Sequence, residues 1–261
     1  MLRRIRGSGL SLIGLATGLV VWEIIGRLEL SPAFPPLTDV LASIVEVWPS
    51  DRFLDNLKDS LVSVGLSLPP SIILGVVLGL LMGRFRVIEW IFDTYVNIFL
   101  SLPLVAMIPI LFLIFGLGRG SILATIVIYT FFIVVVNTIA GVRTTDPRLI
   151  EMAVSFGATE RRVLRRIVLP AALPLIFAGI RIATGRSIRA VIIAEQVIGL
   201  IGLGGLIQRL GGAFAVQDLY AVILFVGLLG LVSMEAVRWI ERKTIPWLRH
   251  REDIGLGLEA A

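Results

Sequence analysis

Four charged residues, Arg181, Arg186, Arg189 and Glu195, interrupt a single apolar run at 171–198. A guanidinium deep in hydrocarbon costs at least about 2.5–3.5 kcal/mol on insertion scales unless it pairs or meets water, so these residues are candidates for a hydrated path that attracts an anion. At 100° per residue Arg186 and Arg189 stand on neighbouring faces of a helix, and both could serve one anion. Arg181 lies nearer the end of the run, where it could pair with Asp93 or Glu89 or reach lipid headgroups. Asn137 and Ser101 are weaker polar candidates, and Asn137 better suits an interhelical hydrogen bond.

Other chemistries are excluded by what the chain lacks. It has no cysteine and a single histidine, His250, in a basic tail, so neither thiol chemistry nor a metal site of several imidazoles is open to it. The run Gly199-Leu200-Ile201-Gly202-Leu203-Gly204-Gly205 is not followed by Lys-Ser/Thr. The only lysines, Lys58 and Lys243, follow no glycine loop, so the chain cannot hydrolyse ATP through a P-loop. No cofactor of its own is expected.

The elements that must position the charged residues are membrane spans. Hydrophobic residues make up 57% of the 261, charged residues only 16%, and mean hydropathy is +0.95, more apolar surface than one globular core can hide. Runs near 9–28, 60–83, 88–115, 121–142, 171–198 and 219–240 predict about six helices that cross a bilayer. Pro103 and Pro109 should bend or break the third, and Pro69-Pro70 should kink the second. Residues 9–28 lack a small-residue cleavage site, which favours a retained span over a signal peptide. Most of the arginines collect at alternate span ends, at Arg3, Arg4, Arg6, Arg84, Arg86, Arg143 and Arg148, at Arg161, Arg162, Arg165 and Arg166, and beyond Arg238. The positive-inside rule then places both termini and the segment 143–170 in the cytoplasm. Arginines at span ends face anionic headgroups, so the net charge of +5 implies lipid and not nucleic acid as the partner.

Within the second span Ser63, Ser67, Ser71, Gly75, Gly79 and Gly83 recur every four residues, a small-residue stripe that lets helix backbones approach. The segment 143–170 is longer than a connection requires. Asp146-Pro147 reads as a helix start, Gly157 as a left-handed stop, and a second helix begins at Thr159. Leu149, Ala153 and Phe156 fall on a common side of the first helix. Its amphipathic character suits either a protein partner or a membrane surface.

The order Glu151-Met152-Ala153, Gly157, Ile167-Val168-Leu169-Pro170 resembles the E-A-A-x3-G-x9-I-x-L-P signature of inner-membrane permease subunits of binding-protein-dependent ABC importers. Met152 in place of the second alanine is the one departure. Asn137 to Arg143 with Asp146, Gly179 to Ala183, Trp22-Glu23, Ile108-Pro109 with Phe115-Gly116, and Ala194-Glu195 are similar to the branch serving nitrate, sulfonate, taurine, bicarbonate and thiamine precursors. The resemblance extends over about residues 15–245.

It implies an all-α integral membrane protein of about six transmembrane helices, a type I ABC importer permease fold, with residues 1–261 forming one permease domain. The Glu151–Gly157 helix would be a coupling helix set in a groove on a separate ATP-binding subunit, with Ala153 and Phe156 as packing contacts, Glu151 as the charged one and Gly157 as the turn. The implied partners are two ATP-binding cassette ATPase subunits, an external solute-binding protein and a second permease copy, a homodimer being preferred. The implied site is a bacterial inner membrane. Three arginines in one span favour an oxyanion, although related permeases carry neutral or zwitterionic solutes. A stand-alone secondary transporter would need inverted repeats, and no second segment matches 143–170. A membrane-anchored enzyme would need a cluster of catalytic residues that is absent.

Overall fold

The computed structural model describes the backbone of residues 2–245 and side chains from residue 13 onward, so His250 and the basic tail lie outside the described residues. Every regular element among them is helical. Three long helices form the centre: α3 (Asp51–Arg84), α6 (Arg119–Arg143) and α9 (Leu169–Ile198), with α6 between the other two.

Helix α3 starts at Ser50, whose hydroxyl accepts from the Phe53 N–H at 3.3 Å, an N-cap. Its small-residue stripe is buried, from Ser60 and Ser63 through Ser67, Ser71 and Gly75 to Gly79. The Ser63, Ser67 and Ser71 hydroxyls donate to the carbonyls of Asp59, Ser63 and Ser67 at 2.8–2.9 Å, so no hydroxyl on this face is left unpaired in apolar surroundings. Gly79 meets α6 so closely that a Cβ there would lie 2.5 Å from Thr138 Cβ. The small side chains are thus the condition for contact. Helix α3 continues without interruption through Pro69-Pro70, whose rings lie on its exposed face.

On its other side α6 packs on α9, Gly141 against Ala172 and Gly179 against Asn137. Asn137 donates to Ile133 O of its own helix at 2.8 Å, so the interhelical hydrogen bond expected of it is not made.

The third expected span is two helices, α4 (Arg86–Ser101) and α5 (Leu104–Phe115), meeting at 107°. Pro103 makes the break by holding Leu102 in extended backbone, while Pro109 lies inside α5 without ending it. Four helices among the described residues are long and apolar enough to cross a membrane, five when the bent pair is counted as one. Helix α1 (Leu2–Arg27) coincides with the remaining run, at 9–28.

Helix α1 joins α2 (Leu37–Val47) through a loop tied down by the Trp22-Glu23 pair. Trp22 Nε1 donates to Pro35 O at 3.0 Å, and Glu23 accepts from the Thr38 N–H at 3.0 Å. Helix α2 then lies on α11 (Val216–Thr244), where Ser43 donates to Asp218 at 2.6 Å.

The segment 143–170 departs from two separate short helices. Helix α7 (Pro147–Ser155) is short, but α8 (Glu160–Val163), a π turn (Leu164–Val168) and α9 form one continuous helix, Glu160–Ile198. The π turn closes with Leu169 N–H donating to Leu164 O. It ends two residues before Pro170, which has no N–H to return to Arg166. The membrane helix that contains α9 therefore extends past its apolar part to meet α7.

Candidate functional site: an elbow helix and a charged membrane helix

Helix α7 is closed at both ends by its own sequence. Asp146 accepts from the Arg148 N–H at 2.9 Å, with Pro147 at the first helical position. At the other end Gly157 has φ +78, Ala158 N–H donates to Ala153 O and Gly157 N–H to Val154 O, each at 2.9 Å. This is a Schellman stop, and its accompanying apolar contact is Ala153 with Ala158 in one cluster with Val142, Val163 and Val168.

The cluster turns Ile150 and part of Ala153 toward the chain's own core, so Ala153, on the same side of the helix as Leu149 and Phe156, is half-buried where they are exposed. The apolar residues left outward are Leu149, Met152, Val154 and Phe156, with Phe156 85% exposed. Glu151 is exposed beside them. An aromatic ring held clear of the molecule on a helix with both ends fixed is a projection suited to a groove.

The elbow is fastened to the membrane helices by ion pairs that sequence inspection missed. Arg84, at the end of α3, donates to both Glu160 oxygens at 2.8–3.2 Å, and Arg143, at the end of α6, to Glu89 on α4 at 2.5 Å. The partners are 76 and 54 residues apart, so no helical spacing announces them. The first pair ties the helix that follows α7 to α3, and the second ties α6, which precedes α7, to α4.

On α9 the four charged candidates separate. Arg181 donates to Glu241 of α11 at 3.2 Å, which corrects the expected partners Asp93 and Glu89. Arg186 is half-buried, its guanidinium 5.3 Å from the Tyr129 ring centroid. It lines a cavity of about 20 Å³ with Phe99, Met107 and Phe132, room for a water and not for a solute. Arg189 is exposed and makes no ion pair among the described residues. It lies on a stripe with Ile182, Arg186, Ile193 and Val197, whereas Ala183, Ser187, Ala190 and Ala194 are buried against the bundle.

Glu195 points away from that stripe and is wholly buried. It accepts from the Ser60 hydroxyl at 2.8–2.9 Å and from the Gly204 N–H at 3.0 Å, at the start of α10 (Gly202–Gly212). The glycine run is explained here, since a Cβ on Gly202 would strike the Glu195 carboxylate and one on Gly204 the α9 backbone. Beside it, partial burial, reinforced by nearby Arg52, pulls the Arg209 pKa below its ordinary value. Among the described residues no group of three or more metal-ligating side chains occurs.

The helical bundle has a fold that solved ABC importers share. A bacterial alginate ABC transporter in complex with an alginate pentasaccharide-bound periplasmic protein has it, with a TM-score of 0.62 at 18% identity, over 94% of this chain and 98% of that one. The inward-facing MetNI methionine ABC transporter has it also, with a TM-score of 0.62 at 21% identity, over 73% and 95%.

Residues 71–246 match the binding-protein-dependent transport system inner membrane component family, and the chain belongs to it. The taurine transport system permease protein of Escherichia coli (strain K12) is 30% identical over 245 residues, 91% of this chain and 89% of that one. The formylaminopyrimidine transport permease protein of Halalkalibacterium halodurans is 29% identical over 230 residues, 88% and 92%. The putative aliphatic sulfonates transport permease protein of Bacillus subtilis (strain 168) is 27% identical over 231 residues, 88% and 84%. The chain is a permease subunit of an ABC importer, a transport component whose ATPase is a separate subunit.

Proposed function

We propose that this permease carries a small anionic solute, of the sulfonate, taurine or nitrate kind, across a bacterial inner membrane, with both termini and α7 in the cytoplasm. Two copies of the chain enclose the path, two ATP-binding subunits each receive an α7, and a solute-binding protein delivers from the opposite side. The observation that carries the coupling role is Phe156, exposed on a helix with both ends capped and its elbow ion-paired to the spans. ATP-driven closure of two partner subunits can move membrane helices only through such a rigid link.

The solute class rests on Arg189, an exposed guanidinium without an ion-pair partner among the described residues, on a stripe of α9 whose other members are Arg186 and apolar residues. A positive charge facing a hydrated path stabilises a passing anion where low dielectric strengthens the attraction. Similarity to permeases named for taurine and sulfonates supports the same class, while similarity to one named for formylaminopyrimidine keeps a neutral or zwitterionic solute as a second reading.

The test is co-purification. Expressed with its ATP-binding subunit, the wild-type permease should be isolated as a complex, and Phe156→Asp should release the ATPase while the permease remains in the membrane. A complex that survives Phe156→Asp with uptake intact would refute docking through α7.

A further inference from the structure

Helices α9 and α10 each close the end of the other. The N-cap of α10, Ile201, offers no side-chain acceptor, which leaves the Leu203 and Gly204 N–H groups to be satisfied from elsewhere. Leu203 N–H donates to Ser60 Oγ at 2.9 Å, the Ser60 hydroxyl donates on to Glu195, and Gly204 N–H donates to Glu195 Oε2. In return Arg209 of α10 donates to the Gly199 and Leu200 carbonyls at the end of α9, at 3.1 and 3.2 Å. An acid thus sits at the positive end of one helix and a guanidinium at the negative end of the other.

Both legs are anchored on α3. Ser60 holds Glu195, and Asn56, one turn earlier, accepts from Arg209 at 3.0 Å. Gly199 supplies the left-handed turn, at φ +73, and Leu203, Leu206, Ile207 and Leu210 bury the inner face of α10. Glu195 makes no ion pair among the described residues, and its donors are one helix-end N–H and one hydroxyl. Six residues separate Glu195 from Arg189, about 120° around the helix axis, so fixing one residue inward fixes the other outward.

We propose that this reciprocal cap is a rigid clasp that carries the far ends of α3, α9 and α10 as one body during transport, with Glu195 and Arg209 as positioning residues that set the face of α9 presenting Arg189. Under this assignment Glu195 never meets the solute. The clasp rests on the permease reading only for its use in transport.

The test uses spin labels in the permease–ATPase complex, on cysteines replacing the exposed residues Asp55 of α3 and Gln208 of α10. The chain has no other cysteine. With labelled chains diluted in unlabelled ones, a narrow distance distribution within one chain, unchanged between the nucleotide-free and ATP-trapped states, is expected. Glu195→Ala and Gly204→Ala should broaden it and lower the thermal unfolding temperature, whereas Glu195→Gln, which keeps an acceptor for Gly204, should retain most of both. In uptake Glu195→Gln should leave KM unchanged.

A wild-type distance that shifts between the two states would overturn the clasp, as would a distribution that stays narrow in Glu195→Ala or Gly204→Ala. A several-fold rise in KM in Glu195→Gln with the distribution still narrow would make Glu195 a solute contact and end the positioning role. Because the distance and unfolding readouts need no transport, a wrong permease reading would show separately, as no uptake with the clasp intact.

Discussion

Arg84 and Glu160, 76 residues apart, form a bidentate pair that joins the end of α3 to the helix beginning just after α7. A pair this exposed contributes only about 0–1 kcal/mol to stability, so a large effect on transport would be mechanical. Arg84→Glu should leave abundance and unfolding temperature close to wild type while reducing ATP-driven uptake several-fold. The double variant Arg84→Glu with Glu160→Arg should recover most of the loss. Equal uptake in all three proteins would show that the pair transmits nothing.

Gly157 holds the left-handed turn that ends α7. A side chain there costs about 1–2 kcal/mol of backbone strain, and a β-branched one more. Gly157→Val should insert normally yet hydrolyse ATP without transport, measured as uptake per ATP in proteoliposomes. Wild-type coupling in that variant would remove the turn from the account.

The small-residue stripe predicts a contrast within one helix. A Cβ at Gly79 would press on Thr138 and Val135, whereas nothing lies within 4 Å of one at Gly65. Gly79→Ala should destabilise by about 1–3 kcal/mol, as over-packing does, and Gly65→Ala by nothing or in the opposite direction. Thermal unfolding in detergent or nanodiscs measures both. Equal shifts would mean that α3 and α6 are not in the contact described.

Much of this was legible in the residues themselves. Turn chemistry at Asp146-Pro147 and Gly157, four-residue spacing of small residues from Ser63 to Gly79, and the break at Pro103 are local signals, and each sits where its backbone geometry requires. What stayed hidden was set by distant partners. Arg181 pairs with Glu241, Arg84 with Glu160, and Glu195 with Ser60 across 135 residues, and no periodicity within one helix reports such pairs. Ala153 follows the same rule: a helical wheel sets it beside Leu149, but only the packing of Val142, Val163 and Val168 decides that it is half-buried while Leu149 is exposed.

Arg189 is the test of solute class. Arg189→Gln removes the charge and keeps most of the length, so uptake of an anionic solute should fall while abundance and basal ATPase activity hold. Loss of abundance instead would make the residue structural. Unchanged kinetics would place it outside the path and withdraw the preference for an anion.

The most direct test of the central claim, that α7 couples this permease to a cytoplasmic ATPase, is a single cysteine at Ser155, exposed on α7 in a chain with no other thiol. In sealed vesicles of known orientation it should react with a membrane-impermeant thiol reagent from the cytoplasmic side only, and crosslink to the ATP-binding subunit when the complex is assembled. Labelling from the opposite side, or cytoplasmic labelling that the assembled ATPase neither blocks nor converts to a crosslink, would contradict the account.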